Sequence, residues 1–238
     1  MGNLLNGIIK NISVFKASAA DLVLDCLFPV SCAACGLTLD AAEKPHRLCL
    51  RCLGATIVKR SPEKIGNIKV YSPLDYRDPA AKNLISRLKY EYDRGAAAPL
   101  ARFLIAHLKI SGFADELGTN AVIVPVPLHK RRLGERGFNQ TELIAAVVGR
   151  TLSLPVFPQA IKRAGHTIPQ SRMEGFAERK RNVAGCFVPG KEAALIRGRF
   201  VVLLDDVWTS GSTMREAASV LRFMGAKKII FVSVAFAG

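Results

Sequence analysis

An α/β fold built on a parallel, doubly wound sheet is what this sequence predicts, and two observations predict it. Short β-favouring apolar runs alternate along the chain with segments of helical spacing, the pattern of a parallel sheet covered on both faces. The best-defined run, 200–204, is apolar throughout, as suits a strand buried on both sides.

Strands are expected at 68–76, 121–126, 156–161, 184–188, 200–204 and 228–235. Helices are expected at 80–92, where Leu84, Ile85 and Leu88 are the apolar positions, at 99–110, at 139–152, and at 214–224, where Ala217, Ala218, Leu221 and Met224 share a side. Residues 59–67, with Pro62 and Gly66, read as a linker, and 165–182 as a polar, irregular loop. Near the start, Leu5, Ile8, Ile12, Phe15, Ala19 and Leu22 recur at helical spacing, so an amphipathic helix docking on its own protein is expected over 1–25. Ala17-Ser18-Ala19 resembles a signal-peptidase site, but Asn6, Lys10 and Asn11 interrupt the apolar core such a peptide needs. No run reaches the roughly 18 apolar residues of a membrane span, and a cytoplasmic location is the expectation. Three units follow: the helix at 1–25, a cysteine-rich ribbon at 26–58 and the α/β domain at 59–238.

The ribbon is defined by its cysteines. Cys32 and Cys35 form one CxxC pair, Cys49 and Cys52 a second. Each knuckle turns two thiolates onto one ion, and two knuckles complete a tetrahedral four-cysteine zinc site. Closed fourfold coordination leaves no open position, so the Zn2+ expected here is structural. Cys26, among Leu24, Leu27 and Phe28, and Cys186, in a strand-like segment, read as packed thiols.

The chain of 238 residues carries a formal charge of +15, which favours polyanionic ligands or partners: phosphorylated sugars, nucleic acid or an anionic membrane face. The apolar run at 200–204 ends in Asp205 and Asp206, and Thr209, Ser210, Gly211, Ser212 and Thr213 then lead into the last helix. Hydroxyls, a glycine and free N–H groups at a helix start make an anion cradle, with phosphate the anion. Carboxylates repel phosphate, so the acid pair is aimed at sugar hydroxyls or at a divalent cation. Trp208 is either a wall of this site or packing. A P-loop is excluded as partner, because the nearest candidate, Gly185 to Lys191, is followed by Glu192 where a Ser or Thr should hold magnesium. A second basic feature follows the strand at 121–126: Lys130, Arg131, Arg132 and Arg136 gather within one short stretch. Arginine suits phosphate by bidentate contact and lysine as a point charge; an exposed basic loop or a nucleic-acid patch is the alternative. His129 reads as an ordinary loop histidine.

The run from Val201 to Thr213 resembles the phosphoribosyl pyrophosphate (PRPP) loop of type I phosphoribosyltransferases. The resemblance implies that Asp205 and Asp206 face the ribose hydroxyls, that Thr209 to Thr213 hold the 5′-phosphate, that Lys130, Arg131 and Arg132 receive pyrophosphate, and that Mg2+ accompanies PRPP. The block from Pro125 to Arg132, then Glu135 to Gln140, together with the four-cysteine ribbon ahead of the PRPP loop, is similar to the ComF family of bacterial proteins. Thr167, Gln170, Arg179 and Asn182 match that family's polar middle segment, while Trp208 and Ser210 stand where it often has aliphatic and Thr residues. The resemblance implies a fold of the type I phosphoribosyltransferase kind, transfer of a 5-phosphoribosyl group with release of pyrophosphate, and a link to DNA uptake and natural competence. It also implies alternatives: a non-catalytic sensor of PRPP or a nucleotide, or a module that binds single-stranded DNA or DNA-uptake proteins.

Overall fold

The computed structural model describes residues 27, 29–163 and 186–238. The helix expected over 1–25, Cys26, and the loop expected at 165–182 with Thr167, Gln170, Arg179 and Asn182 lie outside the described residues.

The strands, in chain order, are β1 (Glu63–Ile65), β2 (Ile68–Tyr71), β3 (Leu74–Asp75), β4 (Ala121–Pro125), β5 (Ile161–Arg163), β6 (Phe187–Pro189), β7 (Phe200–Trp208) and β8 (Lys228–Phe236). The α-helices are α1 (Leu50–Ala55), α2 (Pro79–Tyr90), α3 (Ala97–Ile110), α4 (Lys130–Arg136), α5 (Gln140–Leu152) and α6 (Ser212–Phe223). The six-stranded main sheet has the order β1-β2-β8-β7-β4, with β3 also beside β8. Every pairing within it is parallel except the β1–β2 hairpin.

Side-chain alternation along the central strands sorts the core into two layers. Ile123, Val202, Leu204, Ile230 and Val232 pack with Leu84 and Leu88 of α2, Leu100 and Leu104 of α3, and Ile144 of α5. Val122, Val124, Val201, Leu203 and Phe231 pack on the other face with Met214, Ala217, Ala218 and Leu221 of α6 and with β5 and β6. The sheet is therefore covered on both sides, as the unbroken apolar strands require. Helix starts follow local chemistry: Asp78 caps α2 by accepting the Ala81 N–H at 3.1 Å, and Asn139 caps α5 by accepting that of Thr141 at 3.0 Å.

Five expectations need correction. The supposed linker at 59–67 contains β1, which turns back onto β2 through Gly66 at φ 56. The strand expected at 68–76 is broken at Pro73, whose carbonyl accepts the Lys59 N–H at 2.8 Å; β2 and β3 each pair with β8. Of the run at 156–161, Val156 makes one parallel bridge to Ile123 and Ile161 opens β5; of the run at 184–188, the described part, from Cys186, leads into β6, and β5 and β6 form a separate antiparallel pair against α6 rather than strands of the main sheet. The basic stretch after β4 is a helix, α4, whose N-cap His129 accepts the Arg131 N–H at 3.2 Å through Nδ1. Cys186 is exposed rather than packed.

The ribbon docks on its own domain. Ser31 and Thr38 bridge across the first knuckle, and α1 starts from Cys49. Leu39, Leu48 and Leu53 join the same apolar layer as α2 and α3. Polar ties surround this contact: Asn83 Nδ2 donates to the Ala33 carbonyl at 2.8 Å, Arg87 Nη1 to that of Ser31 at 2.9 Å, and Arg102 Nη1 to His46 Nδ1 at 2.9 Å. Arg47 pairs with Asp93 at 3.1 Å.

His107 of α3 lies under the ribbon–domain connection. Its Nδ1 is 2.7 Å from the Lys59 carbonyl, which only accepts, so Nδ1 carries the hydrogen, while buried Nε2 has no partner among the described residues. Burial holds its pKa below the usual histidine range, although the Lys59 hydrogen bond pulls it up. The unfolded chain takes up a proton near pH ~6.5 that the folded chain resists, so this stability is full above that pH and lost as pH falls. The share of stability owed to His107, read as the difference in urea midpoint between wild type and His107→Gln, should shrink between about pH 7.5 and about pH 5.5. His107→Gln should start from a lower midpoint near about pH 7.5 and converge on the wild type as pH falls, while His46, also held low by burial and by Arg102, acts in the same sense in both proteins. An unaltered slope in His107→Gln would remove His107 from the account.

Candidate functional site

The side on which the chain adds its next strand reverses between the parallel neighbours β4 and β7. After β4 the chain passes through α5 to the bridge at Val156, on the outer side of β4; after β7 it passes through α6 to β8, on the opposite side. Crevices at the carboxyl ends of strands flanking such a switch point bind ligands in open α/β sheets. Here the crevice is a cleft of about 200 Å³ lined by Val126, Pro127 and Leu128 after β4, Asp205 and Asp206 of β7, and Thr209 and Thr213 beyond it.

β7 runs on to Trp208, so both acids lie within the strand rather than after it. Asp206, on the α2–α5 side, is buried; its Oδ1 is 3.0 Å from Lys89 Nζ of α2 and its Oδ2 accepts from Gln140 Nε2 of α5 at 2.6 Å. Arg136 Nη1 donates to Gln140 Oε1 at 3.1 Å, and its guanidinium stands 5.2 Å from the Tyr90 ring centre. Asp205 is half-buried and lines the cleft, its Oδ1 accepting the Asp206 N–H at 2.8 Å. Burial and then the charge of Asp206 push the Asp205 carboxyl up to about 8, against the pull of the Asp206 N–H, Lys89 and Arg163.

The loop after β7 forms a small hollow beside the cleft, lined by Asp205, Thr209, Gly211, Ser212, Thr213 and Trp208 among others. Gly211 adopts φ 72 as the N-cap of α6 and brings no side chain to the first-turn N–H groups, which helix geometry leaves without intrahelical acceptors. Trp208 lies buried beneath it, edge-on to Phe231 at 5.7 Å, and a Cβ on Gly211 would run into the indole. Trp208 is thus packing that also floors the cradle. Ser210 braces the loop: its Oγ lies 3.1 Å from Ser212 Oγ and its carbonyl accepts from Arg215 Nη1 at 2.6 Å.

The basic triplet is divided. Arg132 lines the cleft, and Arg131 and Arg132 line an adjoining basin of about 420 Å³ with His129 and Arg163. Lys130 lines neither, and Arg131 pairs with Glu135 at 3.5 Å. Lys89 and Arg163 carry no mark in sequence that sets them apart from other basic residues; Gln140 stood only within a longer similar block, and Arg136 was read as one of the four gathered cations without a role of its own. A carboxylate pair ending a buried strand was the available signal that cationic or amide partners had to exist somewhere.

Cys32, Cys35, Cys49 and Cys52 come together as expected, their sulfurs all within 4.8 Å of one another. Cys35 and Cys49 are 3.8 Å apart, the edge of a tetrahedron about a metal with bonds of about 2.3 Å. Burial raises the Cys32 thiol, but N–H groups of Cys49, Cys35 and Ala34 outweigh it and bring it down to about 6; burial and the other thiols push Cys52 up to about 12. The cluster can hold a metal such as zinc.

A sequence model of the phosphoribosyl transferase domain matches residues 143–238. DNA utilization protein YhgH of Escherichia coli is 32% identical over 198 residues, covering 83% of this chain and 80% of that protein. Competence protein F of Haemophilus influenzae is 32% identical over 146 residues; the match covers 61% of this chain and 63% of that protein, just short of two thirds of its length. Among solved structures, Trypanosoma cruzi hypoxanthine phosphoribosyl transferase aligns over 61% of this chain and 74% of its own at 11% identity, with a TM-score of 0.35. No helix among the described residues is long and apolar enough to cross a membrane.

The raised Asp205 pKa has a consequence for stability. An acid that ionises near pH 4 when unfolded but near pH 8 when folded loses stability as pH rises through that interval. Asp205→Asn should therefore raise the melting temperature, and the gain should grow from about pH 5 to about pH 8, as followed by circular dichroism. Equal melting temperatures at the upper pH would show that the folded site bears the second charge without cost.

Proposed function

The chain belongs to the ComF family of phosphoribosyl transferase-domain proteins, and we propose that it binds PRPP and transfers the 5-phosphoribosyl group with release of pyrophosphate. The observation that carries this reading is one cleft in which an adjacent acid pair, a helix-start cradle and Arg132 converge at a topological switch point.

In this reading Thr209, Ser210, Gly211, Ser212 and Thr213 hold the 5′-phosphate with hydroxyls and N–H groups, and Asp205 and Asp206 accept from the ribose hydroxyls. Lys89 and Gln140 fix Asp206 in place, so reorganisation on binding falls on Asp205, which sheds its proton as it accepts. Arg131 and Arg132, with Lys130 on the same helix, stabilise pyrophosphate. The C1–O bond to pyrophosphate breaks and its electron pair leaves with the pyrophosphate, while a lone pair of the acceptor closes onto C1. The chain acts by positioning and by charge stabilisation of an oxocarbenium-like state.

Mg2+ fits this donor set: Asp205 presents a hard oxygen to the cleft beside a second carboxylate, and bound with PRPP the ion supplies neutralisation of the phosphate oxygens. Zn2+ fits the four thiols, where Cys32, Cys35, Cys49 and Cys52 would hold it as a closed structural centre. Four thiols in ligand geometry suit a reducing, cytoplasmic setting. The basin of His129, Arg131, Arg132 and Arg163 favours a second reading, a non-catalytic module that senses PRPP or a nucleotide, or that binds single-stranded DNA in concert with DNA-uptake proteins.

Calorimetric titration with PRPP and Mg2+ should show binding by the wild type, weakened about a hundredfold or more in Asp205→Asn/Asp206→Asn. No binding by the folded wild type would overturn the proposal, and binding without pyrophosphate release across a panel of acceptors would favour the sensor. Metal analysis should find about one zinc per chain, and chelation should lower the melting temperature. A metal-free protein of undiminished melting temperature would remove the zinc centre.

A further inference from the structure

The cysteine ribbon and the acid pair are connected by more than shared packing. Asn83 and Arg87 of α2 donate to the carbonyls of Ala33 and Ser31, the residues on either side of Cys32. Arg87 Nη2 adds a bond to Ser31 Oγ at 2.8 Å. One helix thus grips both neighbours of a thiol in the cluster. Further along the same helix, Lys89 Nζ is 3.0 Å from Asp206 Oδ1.

A second route leaves the ribbon through Arg47. Its carbonyl accepts the Ala33 N–H at 2.9 Å, and its side chain pairs with Asp93 in the turn after α2. A Cβ on Gly95 would run into that guanidinium, so the turn is closed tightly against it. Arg94, between the two, holds its guanidinium 4.8 Å from the ring centre of Phe138, which directly precedes the α5 cap Asn139. Gln140, the first residue of α5, donates to Asp206 Oδ2 at 2.6 Å. Both side chains that hold the Asp206 carboxylate, one on each oxygen, therefore stand on elements that the ribbon braces.

The ribbon keeps this place only while its cysteines are joined. Its leucines, Leu39, Leu48 and Leu53, belong to the layer of α2 and α3 and give it no core of its own. Loss of metal unfolds a unit of this size, and Ser31, Ala33 and Arg47 are then lost together as partners of α2 and its turn. Lys89 is left on a looser helix end. A buried carboxylate parted from its cation is a costly state. Lys89 also lines the cleft, where its displacement weakens the attraction for a polyphosphate.

We propose that the ribbon is the positioning element of the acid pair, so that metal held by Cys32, Cys35, Cys49 and Cys52 and PRPP held in the cleft each tighten the binding of the other. The inference rests on the reading of the cleft as a PRPP site. Lys89 and Gln140 act on Asp206 directly, and Arg87 and Asp93 act through them. Such coupling is reciprocal: the factor by which metal favours PRPP equals the factor by which PRPP favours metal.

The test titrates the full zinc-loaded chain with a chromogenic chelator, pyridylazoresorcinol, in Mg2+ alone and in Mg2+ with saturating PRPP. Zinc affinity should rise about fivefold or more with PRPP. Arg87→Met/Asp93→Asn leaves the cysteines and the cleft lining unchanged and should bring that factor below about two, with zinc and PRPP both still bound. Asp93→Asn alone keeps the acceptor for the Gly95 N–H and should lower the factor in part. Zinc affinity indifferent to bound PRPP overturns the inference. So does a double variant whose melting temperature falls while the factor stays, since Arg87 and Asp93 then serve stability alone. A wild type that binds no PRPP in calorimetry defeats the cleft's reading instead. Lys89→Met then decides the ribbon's role, zinc affinity weakened about threefold or more supporting it and unchanged affinity overturning it.

Discussion

Two carboxylates side by side at the inner end of a buried strand are an electrostatic load that the neighbouring elements must carry. In low-dielectric surroundings such a pair resists double ionisation. The protein answers asymmetrically. Asp206 receives Lys89 from α2 and Gln140 from α5, whereas Asp205 receives the Asp206 N–H and otherwise faces the cleft. The asymmetry follows from the strand itself, because successive side chains point to opposite faces. One acid is turned toward the helices on one side and the other toward the cradle and β5. The positions of α2 and α5, and of α4 through Arg136 and Gln140, are thereby tied to one carboxylate.

That division explains what could be read from the chain and what could not. The acid pair, the hydroxyl-rich loop and the helix after it are contiguous, so their chemistry is visible in thirteen consecutive residues, Val201 to Thr213. The two CxxC knuckles are local in the same way: each is a turn that needs only its own residues. Lys89 and Gln140 reach the site by folding from elsewhere in the chain, Gln140 across 66 positions, and nothing in their local sequence announces the partner. Strand assignments failed for a related reason. The runs at 156–161 and 184–188 have strand composition, but composition does not say which sheet a strand joins; register and partner are tertiary facts. Helix α4 was missed because its seven residues carry three consecutive cations and a glycine and show no apolar period; its start is set by the His129 cap.

The ribbon illustrates a different limit. Its ligand spacing fixes what it can bind but not where it sits. Docking is decided by Leu39, Leu48 and Leu53 entering the layer under α2 and α3, and by side chains of those helices, Asn83, Arg87 and Arg102, reaching ribbon atoms. The same helix α2 that anchors the ribbon through Asn83 and Arg87 presents Lys89 to Asp206. Asn83 and Arg87 lie one turn apart, and Lys89 lies two residues further on, a different face of the helix. The cysteine knuckles and the acid pair are therefore mechanically joined by a single rigid element, although they share no residue.

The cradle depends on a second constraint, the pairing of Gly211 with Trp208. A loop that exposes first-turn N–H groups must leave the strand and enter the helix without placing a side chain over them. Gly211 meets this with a left-handed backbone and no Cβ, which lets the indole close up beneath it. The indole is in turn held by Phe231 of β8 and covered by the Arg215 guanidinium at 5.5 Å, while Arg215 also ties the Ser210 carbonyl. Loop shape is thus set from below by an aromatic anchored in the sheet, rather than by the hydroxyls that face the ligand. An aliphatic residue at 208 would leave the loop less support from beneath. The serine at 210, one methyl smaller than threonine, lies within the segment that this support fixes, so the two departures from the family's usual pattern belong to one local solution.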